Sequence, residues 1–392
     1  NFTPDDICYY EDSADELALI NYTSGTSGFS KGVMIPYRAL YSNVQFAMKV
    51  LPMLNDHSNV VAMLPSAHMY GMMFEVLFEL TVGTHVHFLT RVPSPKIIMQ
   101  ALAEIRPDVV IAVPLIIEKV YKSKLKPLLE KEGIRFAMRL PVISQIIQKK
   151  IREELVNAFG GRFEEVIIGG AAFNKEVETF MKKIGFPFTV GYGMTECAPI
   201  ISYDDWKTAR LFSCGKAAPN MEIRIDSPDP QNVPGEVLVK GMNVFLGYYK
   251  NDEATAATFT SDGWFRTGDM GVMDKDGYLY LRGRSKCMIL GPSGQNIYPE
   301  EIECVVNNMH YVVDSLVIED DGGLTALIYP DFHQGEIDGM DSCALEKYIE
   351  SHLPELNQEL PNYARIKKIE IMPEDFERTP KRSIKRYLYQ RN

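Results

Sequence analysis

Two short glycine-rich turns constrain the fold of this chain more than any other feature. The first, Gly169-Gly170, follows the strand-like run Glu165–Ile168. The second, Gly191–Gly193, follows the apolar run Phe188–Val190. Between them, Asn174 is a typical N-cap for an amphipathic helix. A strand–helix–strand unit predicts a wound α/β sheet, whose ligands bind at the carboxyl ends of the strands, where both turns lie.

The sequence pattern changes twice after this unit. From Met221 onward short strands and turns follow one another with no long helix, which predicts an antiparallel or barrel-like β subdomain. After Lys286 the pattern becomes a small α+β unit, with a helix near Pro299 and a hairpin that pairs Val312–Ile318 with Leu324–Tyr329. The fold class is therefore α/β, a large N-terminal region with a β subdomain followed by a small α+β C-terminal domain.

Three other segments have clear local patterns. The run from Pro107 to Pro114 predicts a buried strand. The pattern of residues from about 343 to 352 predicts a second helix in the C-terminal unit. Five apolar residues recur at helical spacing before the stop at Gly160-Gly161, namely Ile146, Ile147, Ile151, Leu155 and Phe159.

Composition narrows the possible partners and the compartment. A chain of 392 residues that is 46% hydrophobic can form two or three domains. Its net charge of −11 gives no overall electrostatic reason to bind nucleic acid. Six cysteines without metal-ligand spacing predict reduced thiols in a cytosolic protein. Because the chain begins at Asn1 and leads early into the candidate site, we expect it to be a fragment without its N-terminal part.

A loop at Tyr22–Val33 has the composition of a phosphate cradle. Its glycines let the backbone N–H groups approach an anion, while hydroxyls add donors and Lys31 adds charge. It is not a GxxxxGK[ST] loop, because Gly32 follows the lysine. On composition alone, a flexible solvated turn is an equal alternative. The candidate nucleotide-binding residues here are Thr23, Ser24, Gly25, Thr26, Ser27, Gly28 and Lys31.

This loop and several later motifs occur in an order that resembles the acyl-adenylate-forming superfamily, most closely its long-chain fatty acid–CoA ligases. The resemblance implies that Gly170 and Ala171 lie beside adenine and that Tyr192, next to Gly193, stacks on it. It also implies that Thr195 contacts the α-phosphate and that Glu196 binds Mg²⁺, a role suited to a carboxylate oxygen. Taken alone, Tyr192 could be a core residue and Glu196 a surface acid.

The resemblance continues through the second half of the chain. It implies that Asp269 and Arg284 bind the ribose hydroxyls and that Lys286 is a hinge. Residues 1–285 would then form the ATP- and acyl-binding core, and 287–392 a mobile C-terminal domain. The turn at Gly294 and the stretch Tyr298–Glu301 would help form a tunnel for the pantetheine arm of CoA. The superfamily's first N-terminal subdomain would be missing here.

The segment Leu64–Gly71 resembles the lining of the acyl pocket. It implies a place for His68 where the acyl group meets the thiol, although a structural histidine is an alternative. The segment contains no carboxylate to pair with a substrate ammonium, which disfavours amino acids. The Met- and Phe-rich stretch after it suits an apolar guest and could equally be core.

The partly basic helical stretch Glu118–Gly161 resembles an insertion of long-chain synthetases. A basic amphipathic surface there could contact anionic lipid, and a solvated charged helix is the alternative. The resemblance implies a cytoplasmic enzyme, with a peripheral membrane contact, whose partners are fatty acid, ATP and CoA. Mg²⁺ would be its metal.

The implied reaction has two steps, formation of acyl-AMP with release of pyrophosphate and transfer of the acyl group to CoA. The C-terminal lysine of the family pattern is out of place, because Ser383 falls at its position and serine carries no charge. Lys385 is the preferred replacement and Lys381 the other candidate. Alternatives are a ligase for another carboxylate or for a carrier protein, and a catalytically impaired nucleotide- or acyl-binding protein.

Overall fold

The computed structural model describes residues 13–24, 30–91, 93–291, 295–378 and 384–391. One buried apolar cluster joins the N-terminal hairpin to the antiparallel β region, and a second surrounds a parallel sheet. Two further clusters lie wholly beyond residue 286. The large α/β region with a small α+β domain after it is therefore confirmed.

The candidate phosphate loop connects the two strands of an antiparallel hairpin. The register places Thr23 opposite Lys31. A short strand from much later in the chain, Gly247–Tyr248, pairs with the second strand of this hairpin, so the base of the loop is braced by distant sequence. The elements before residue 92 are β1 Leu17–Ser24, β2 Ser30–Pro36, α1 Tyr37–Val50, β3 Asn59–Ala62, α2 Met69–Gly71, a π-helical stretch Met72–Leu77, α3 Phe78–Val82 and β4 His85–Phe88.

Three parallel strands bring the two glycine turns to one edge of a sheet, as the sequence predicts. Val166–Ile168 lies in the middle, and it pairs with Val110–Ala112 on one side and Phe188–Val190 on the other. Asn174 caps the intervening helix, because its side chain accepts hydrogen bonds from two backbone N–H groups. This region contains α4 Pro95–Ile105, β5 Val110–Ala112, α5 Pro114–Val120, a π-helical stretch Tyr121–Leu125, α6 Lys126–Glu130, α7 Glu132–Ala137, α8 Pro141–Ala158, β6 Val166–Ile168, α9 Lys175–Ile184 and β7 Phe188–Val190.

Helix α8 differs from the simplest interpretation of its apolar spacing. Ile151 and Leu155 are buried with Ser144, whereas Ile146 is 63% exposed. Two positions correspond to about 200° around a helix, so Ile146 lies almost opposite Ser144. The spacing therefore predicted the helix but placed Ile146 on the wrong face.

The region from Met221 is an open antiparallel sheet, in which the neighbouring strands are, in order, Met221–Asp226, Gly235–Gly241, Phe265–Met273 and Leu279–Arg284. A single short helix interrupts its strands in the described residues. The sheet brings Asp269 on one strand directly opposite Arg284 on the next. The elements are β8 Tyr192–Gly193, a 3₁₀ turn Thr195–Cys197, β9 Ile200–Tyr203, β10 Lys216–Ala217, β11 Met221–Asp226, β12 Gly235–Gly241, β13 Gly247–Tyr248, α10 Asp252–Ala257, β14 Phe265–Met273, β15 Leu279–Arg284, a 3₁₀ turn Ser285–Cys287 and β16 Ile289–Leu290.

The C-terminal unit has a three-stranded sheet with helices packed against it. The predicted hairpin is present, and its turn residues Asp321 and Gly322 both have positive φ, as a two-residue turn of this twist requires. The elements are β17 Asn296–Ile297, α11 Pro299–Val306, β18 Val312–Asp320, β19 Gly323–Pro330, α12 Phe332–Ile337, α13 Ser342–Ser351, α14 Leu353–Glu359, a 3₁₀ turn Asn362–Ala364, β20 Ile366–Ile371 and a 3₁₀ turn Arg386–Leu388.

Two lysines and an asparagine connect this unit to the N-terminal region. The Lys122 ammonium donates to the Asn307 carbonyl at 2.5 Å, and Lys126 donates to the Asn308 carbonyl at 2.9 Å. The Asn174 amide donates to the Asn308 side chain at 2.6 Å. Cations are favourable beside the C-terminal end of a helix, and α11 ends here. We refer to Lys122, Lys126 and Asn174 as the polar clamp.

Candidate active site

The turn after β6 has the backbone shape that a glycine permits. Gly170 adopts φ +86°, and Ala171 after it is exposed at the sheet edge. The ring of Tyr70 covers Gly169 and its hydroxyl donates to the Ile167 carbonyl at 3.0 Å. The predicted adenine-side turn therefore touches the predicted acyl-pocket segment.

The second turn carries four candidate residues within five positions. Gly193 must remain glycine, because a Cβ there would lie 2.3 Å from the Pro199 carbonyl oxygen. Thr195 and Glu196 follow in a 3₁₀ turn, and both are buried. This tight turn orients Tyr192 and Glu196 toward two different sets of partners.

Tyr192, Asp269 and Arg284 form one hydrogen-bonded cluster. The Tyr192 hydroxyl donates to Asp269 Oδ2 at 2.6 Å, and Arg284 Nε lies 2.8 Å from Asp269 Oδ1. Asp269 is 7% exposed, and its backbone N–H donates to the Thr267 hydroxyl, which itself donates to the Val237 carbonyl. The sequence predicted these three residues for one nucleotide, and the structure brings them together.

The electrostatics of this cluster are those of a buried carboxylate paired with a half-exposed arginine. Burial raises the pKa of the Asp269 carboxyl, an effect that the Arg284 guanidinium and the Tyr192 hydroxyl oppose. The Asp269 carboxylate in turn raises the pKa of Arg284, with a smaller contribution from Glu196. Each carboxylate oxygen has two acceptor positions. Asp269 can thus hold its two protein partners and still accept hydrogen bonds from vicinal hydroxyls.

The hydroxyl end of Tyr192 is engaged by Asp269 and the residue is only 8% exposed in this arrangement. Burial also raises the pKa of this phenol well above its usual value. Tyr192 therefore stays neutral and positions the carboxylate. Its stacking on adenine remains a prediction.

Lys31, Tyr248 and Glu196 form the second cluster. The Lys31 ammonium lies 4.5 Å from the centre of the Tyr248 ring, and the Tyr248 hydroxyl donates to Glu196 Oε1 at 3.0 Å. Tyr192 and Glu196 leave the same turn, so the two clusters adjoin. A cation and a carboxylate are thus placed beside the predicted ribose-binding residues.

Three residues that support these two clusters were missed from the sequence. Tyr248 links Lys31 to Glu196, and it lies far from both along the chain. Asn43 is fully buried and holds the 3₁₀ turn from both sides, since it donates to the Cys197 carbonyl and accepts from the Ile200 N–H. Asn243 donates to the Ile200 carbonyl. No local pattern distinguishes these residues, because their role depends on contacts with remote segments.

Part of the predicted phosphate loop lies outside the described residues. The structure does not describe four of the candidate residues, Gly25, Thr26, Ser27 and Gly28. For Ser24 it describes the backbone, as part of β1, and not the side chain. The hairpin arms show that Thr23 and Lys31 face each other across the ladder. The loop is therefore supported at its base, and the contacts of its tip remain a prediction.

The segment Leu64–Gly71 is held between the hairpin and a helix. Asn21 in β1 donates to the Ala67 carbonyl at 2.8 Å. The Glu75 carboxylate accepts from the N–H groups of Met63 and Leu64 at 3.1 and 2.9 Å. His68 itself is half-buried at the start of α2. These hydrogen bonds hold the backbone of the segment, and Glu75, which makes two of them, was not identified from the sequence.

Lys385 contacts neither of these two clusters. Its ammonium lies 3.0 Å from Glu377 Oε2, inside the C-terminal segment. Among the described residues it makes no ion pair or hydrogen bond with another candidate site residue. Lys381, Ser383 and Gly294 lie outside the described residues, so the role of the displaced lysine remains a prediction.

The metal prediction rests on Glu196 alone. The described residues contain no group of three or more His, Cys, Asp or Glu side chains that could together bind a metal. Mg²⁺ is commonly bound by one or two carboxylates together with substrate phosphates and waters. A buried carboxylate linked through Tyr248 to Lys31, at the base of the predicted phosphate loop, fits that mode.

Comparison with known proteins gives these clusters a family context. The long-chain-fatty-acid–CoA ligase FadD15 of Mycobacterium bovis is 27% identical to this chain, with 95% of this chain and 67% of that protein covered. The 4-coumarate–CoA ligase-like protein 4 of Oryza sativa subsp. japonica is 30% identical, with 78% and 51% covered. ATP-bound MatB from Rhodopseudomonas palustris has a TM-score of 0.74 at 26% identity, with 97% and 69% covered. The chain therefore spans between 51% and 69% of the length of these proteins.

Two family descriptions match along the chain. Residues 288–392 match the C-terminal domain of AMP-binding enzymes, and residues 7–249 match the AMP-binding enzyme family itself. The match over residues 7–249 covers more than half of the chain. It includes the hairpin, both glycine turns and the Lys31–Tyr248–Glu196 cluster. This chain belongs to the family of AMP-binding enzymes.

Proposed function

We propose that this protein is an AMP-forming fatty acid–CoA ligase. The observation that carries the proposal is the pair of adjoining clusters on one turn, with Asp269 paired to Arg284 and Glu196 linked to Lys31. One cluster suits a ribose and the other suits phosphates. In the first step an oxygen of the fatty carboxylate attacks the α-phosphorus of ATP, and the bond to pyrophosphate breaks. In the second step the sulfur of CoA attacks the acyl carbon, its proton is released, and AMP leaves.

The ribose cluster would orient the nucleotide. Asp269 accepts hydrogen bonds from the ribose hydroxyls while Tyr192 and Arg284 keep the carboxylate in place. Such preorganisation aligns the α-phosphate with the attacking carboxylate before reaction. The exposed turn at Gly170-Ala171 would lie against the adenine.

The phosphates would be bound by Lys31, Thr195 and the loop between β1 and β2. These donors stabilise the negative charge that accumulates on the phosphorus during attack. Glu196 would hold Mg²⁺, which neutralises phosphate charge when bound.

The acid is proposed to be a long-chain fatty acid. The name of the Mycobacterium bovis relative supports this choice, and so does the apolar stretch after His68, in which Met69, Met73 and Phe78 are fully buried. Burial raises the pKa of Glu75 to about 8, so this carboxyl is mostly protonated at neutral pH and offers little charge to an amino acid. The name of the rice relative favours another carboxylate as the second candidate.

The two steps require different residues around one site. We propose that the domain at 287–392 rotates about Lys286 and brings Lys385 toward the carboxylate and α-phosphate for the first step. His68 would lie where the acyl group meets the thiol of CoA. A cytoplasmic location, with contact at the membrane periphery, fits soluble ATP and CoA together with a fatty substrate.

The test is release of AMP by the protein across fatty, aromatic and amino acids, with and without CoA. Long-chain fatty acids should give AMP, and CoA should consume a trapped acyl-adenylate. Selective turnover of aromatic acids would mean that the substrate is another carboxylate and not a fatty acid. Transfer of the acyl group to a carrier protein and not to CoA would mean that the acceptor is the carrier protein. ATP binding without AMP formation for every acid would contradict the ligase and support a binding protein.

A further inference from the structure

Five large apolar side chains are exposed within the eleven residues from 136 to 146, where α7 meets α8. Phe136, Val142 and Ile146 are 65%, 71% and 63% exposed, and Leu140 and Ile143 are also exposed. Isolated exposed apolar residues are common, but a contiguous group is typical of an interaction surface. We refer to these five residues as the apolar face.

The apolar face lies within a strongly basic part of an acidic chain. Residues 131–150 contain five basic residues and one acidic residue, whereas the whole chain has a net charge of −11. Lys131, Arg135, Arg139 and Lys150 are exposed and form no ion pair with any described residue. Their charge is therefore available to a partner.

Among the residues that the structure describes, this face points away from the core. Helix α8 packs on the core through Ile151 and Leu155, which are buried with Ser144. Val142 and Ile146 are four positions apart, so they lie on one side of the helix, away from that core. The short α7 adds Phe136 beside the turn.

We propose that the apolar face, with its basic rim, docks on the surface of an anionic lipid bilayer. The apolar side chains enter the boundary between headgroups and acyl chains, and the lysines and arginines meet the lipid phosphates. No helix in the described part of the chain is long and apolar enough to cross a membrane, and surface docking requires none. The proposal does not depend on ligase activity.

Charge decides between a bilayer and a second copy of the chain. A two-fold dimer through this face would place the same basic rim on both sides of the interface. Like charges facing each other oppose such an association, whereas an anionic surface attracts them. The bilayer is therefore the better match.

The experiment is flotation of the whole chain with vesicles of phosphatidylcholine alone or with about 30% phosphatidylglycerol. Binding should require the anionic lipid and fall as salt rises. Val142→Asn with Ile146→Asn, and Arg135→Gln with Arg139→Gln, should each lower binding at least tenfold, since each basic residue near the surface contributes about 1 kcal/mol. The matched controls are Ile337→Asn, at an isoleucine 64% exposed elsewhere, and Arg365→Gln at another exposed arginine.

The controls should bind like the wild type. Equal binding of all variants, or binding that does not depend on anionic lipid, would overturn the proposal. Concentration-dependent dimers that the Val142/Ile146 variant abolishes, without vesicle binding by the wild type, would assign the face to a second copy. Circular dichroism of each variant separates loss of binding from loss of folding.

Discussion

The proposed nucleotide side and the proposed acyl side of the site both bury carboxylates, but the neighbours of these carboxylates differ. Asp269 lies between a tyrosine hydroxyl and an arginine. Glu75 and Glu79, on the helical stretch after His68, form no ion pair with any described residue. Burial raises the pKa of Glu79 to about 7 and that of Glu75 to about 8.

This difference indicates what each side is built to bind. A buried charge with a fixed counter-charge is a polar receptor for sugar hydroxyls. Buried carboxyls without a cation tend to be neutral, so they leave their surroundings effectively apolar. The acyl side should therefore tolerate an apolar guest only while its glutamates keep their protons.

The largest expected effect comes from removing the compensated charge. Asp269→Asn removes the charged acceptor proposed for the ribose hydroxyls and should weaken AMP binding about tenfold to a hundredfold, because a hydrogen bond to a charged group contributes about 1.5–3 kcal/mol. Calorimetric titration with AMP measures it. Asp276→Asn is the control, since Asp276 also pairs with an arginine but at an exposed site. Wild-type AMP affinity in a folded Asp269→Asn protein would show that Asp269 does not bind the ribose.

Glu79→Gln tests the uncompensated side through the pH dependence of stability. The folded pKa of about 7 is above the ordinary value of 4.5, so the unfolded chain loses this proton first. The contribution of protonated Glu79 to the free energy of unfolding is fully present below about pH 4.5. It is lost as the pH rises through about 7. Between pH 5 and 8 the free energy of unfolding of the variant should therefore rise by about 2–3 kcal/mol relative to that of the wild type.

Urea unfolding across that pH range gives the comparison. Glu346→Gln, on an exposed position of α13, is the control. A stability difference between Glu79→Gln and wild type that stays constant with pH would mean that Glu79 is ionised in the folded protein.

Lys385→Ala tests whether the nucleotide side is completed from the C-terminal domain. The rate of adenylate formation should fall at least tenfold, as expected when a charge that stabilises the transition state is removed. Lys368→Ala is the control, since Lys368 also pairs with a glutamate on the surface of the same domain. If neither Lys385→Ala nor Lys381→Ala lowers the rate tenfold, neither lysine takes the place expected at Ser383.

The smallest expected effect concerns the polar clamp. Lys122→Met with Lys126→Met removes both cations from the end of α11 and should change the ratio of the adenylation and thioester-forming rates several-fold. Rapid-quench measurement of the two half-reactions gives this ratio. The exposed Lys124→Met is the control on the same stretch. An unchanged ratio would mean that the clamp does not influence the domain arrangement.

Local patterns predicted most of the fold. The glycine turns, the Asn174 cap and the hairpin at Asp321-Gly322 depend on backbone conformations that nearby residues specify. The resemblance assigned Tyr192, Asp269 and Arg284 to one nucleotide, and their pairing with one another came from the structure. The supporting roles of Asn43, Tyr248 and Glu75 could not be predicted, because they bind segments far away in the chain.

The phosphate loop illustrates the same division. From the sequence alone its composition determined a candidate anion site, and the order of later motifs determined the family. Only the tertiary structure decided that Lys31 lies over Tyr248, that Tyr248 donates to Glu196, and that Lys385 pairs with Glu377. The conformation of a turn depends on its own residues, so the sequence predicts it. Side-chain pairing depends on strand register and packing between remote segments, which exist only once the chain has folded.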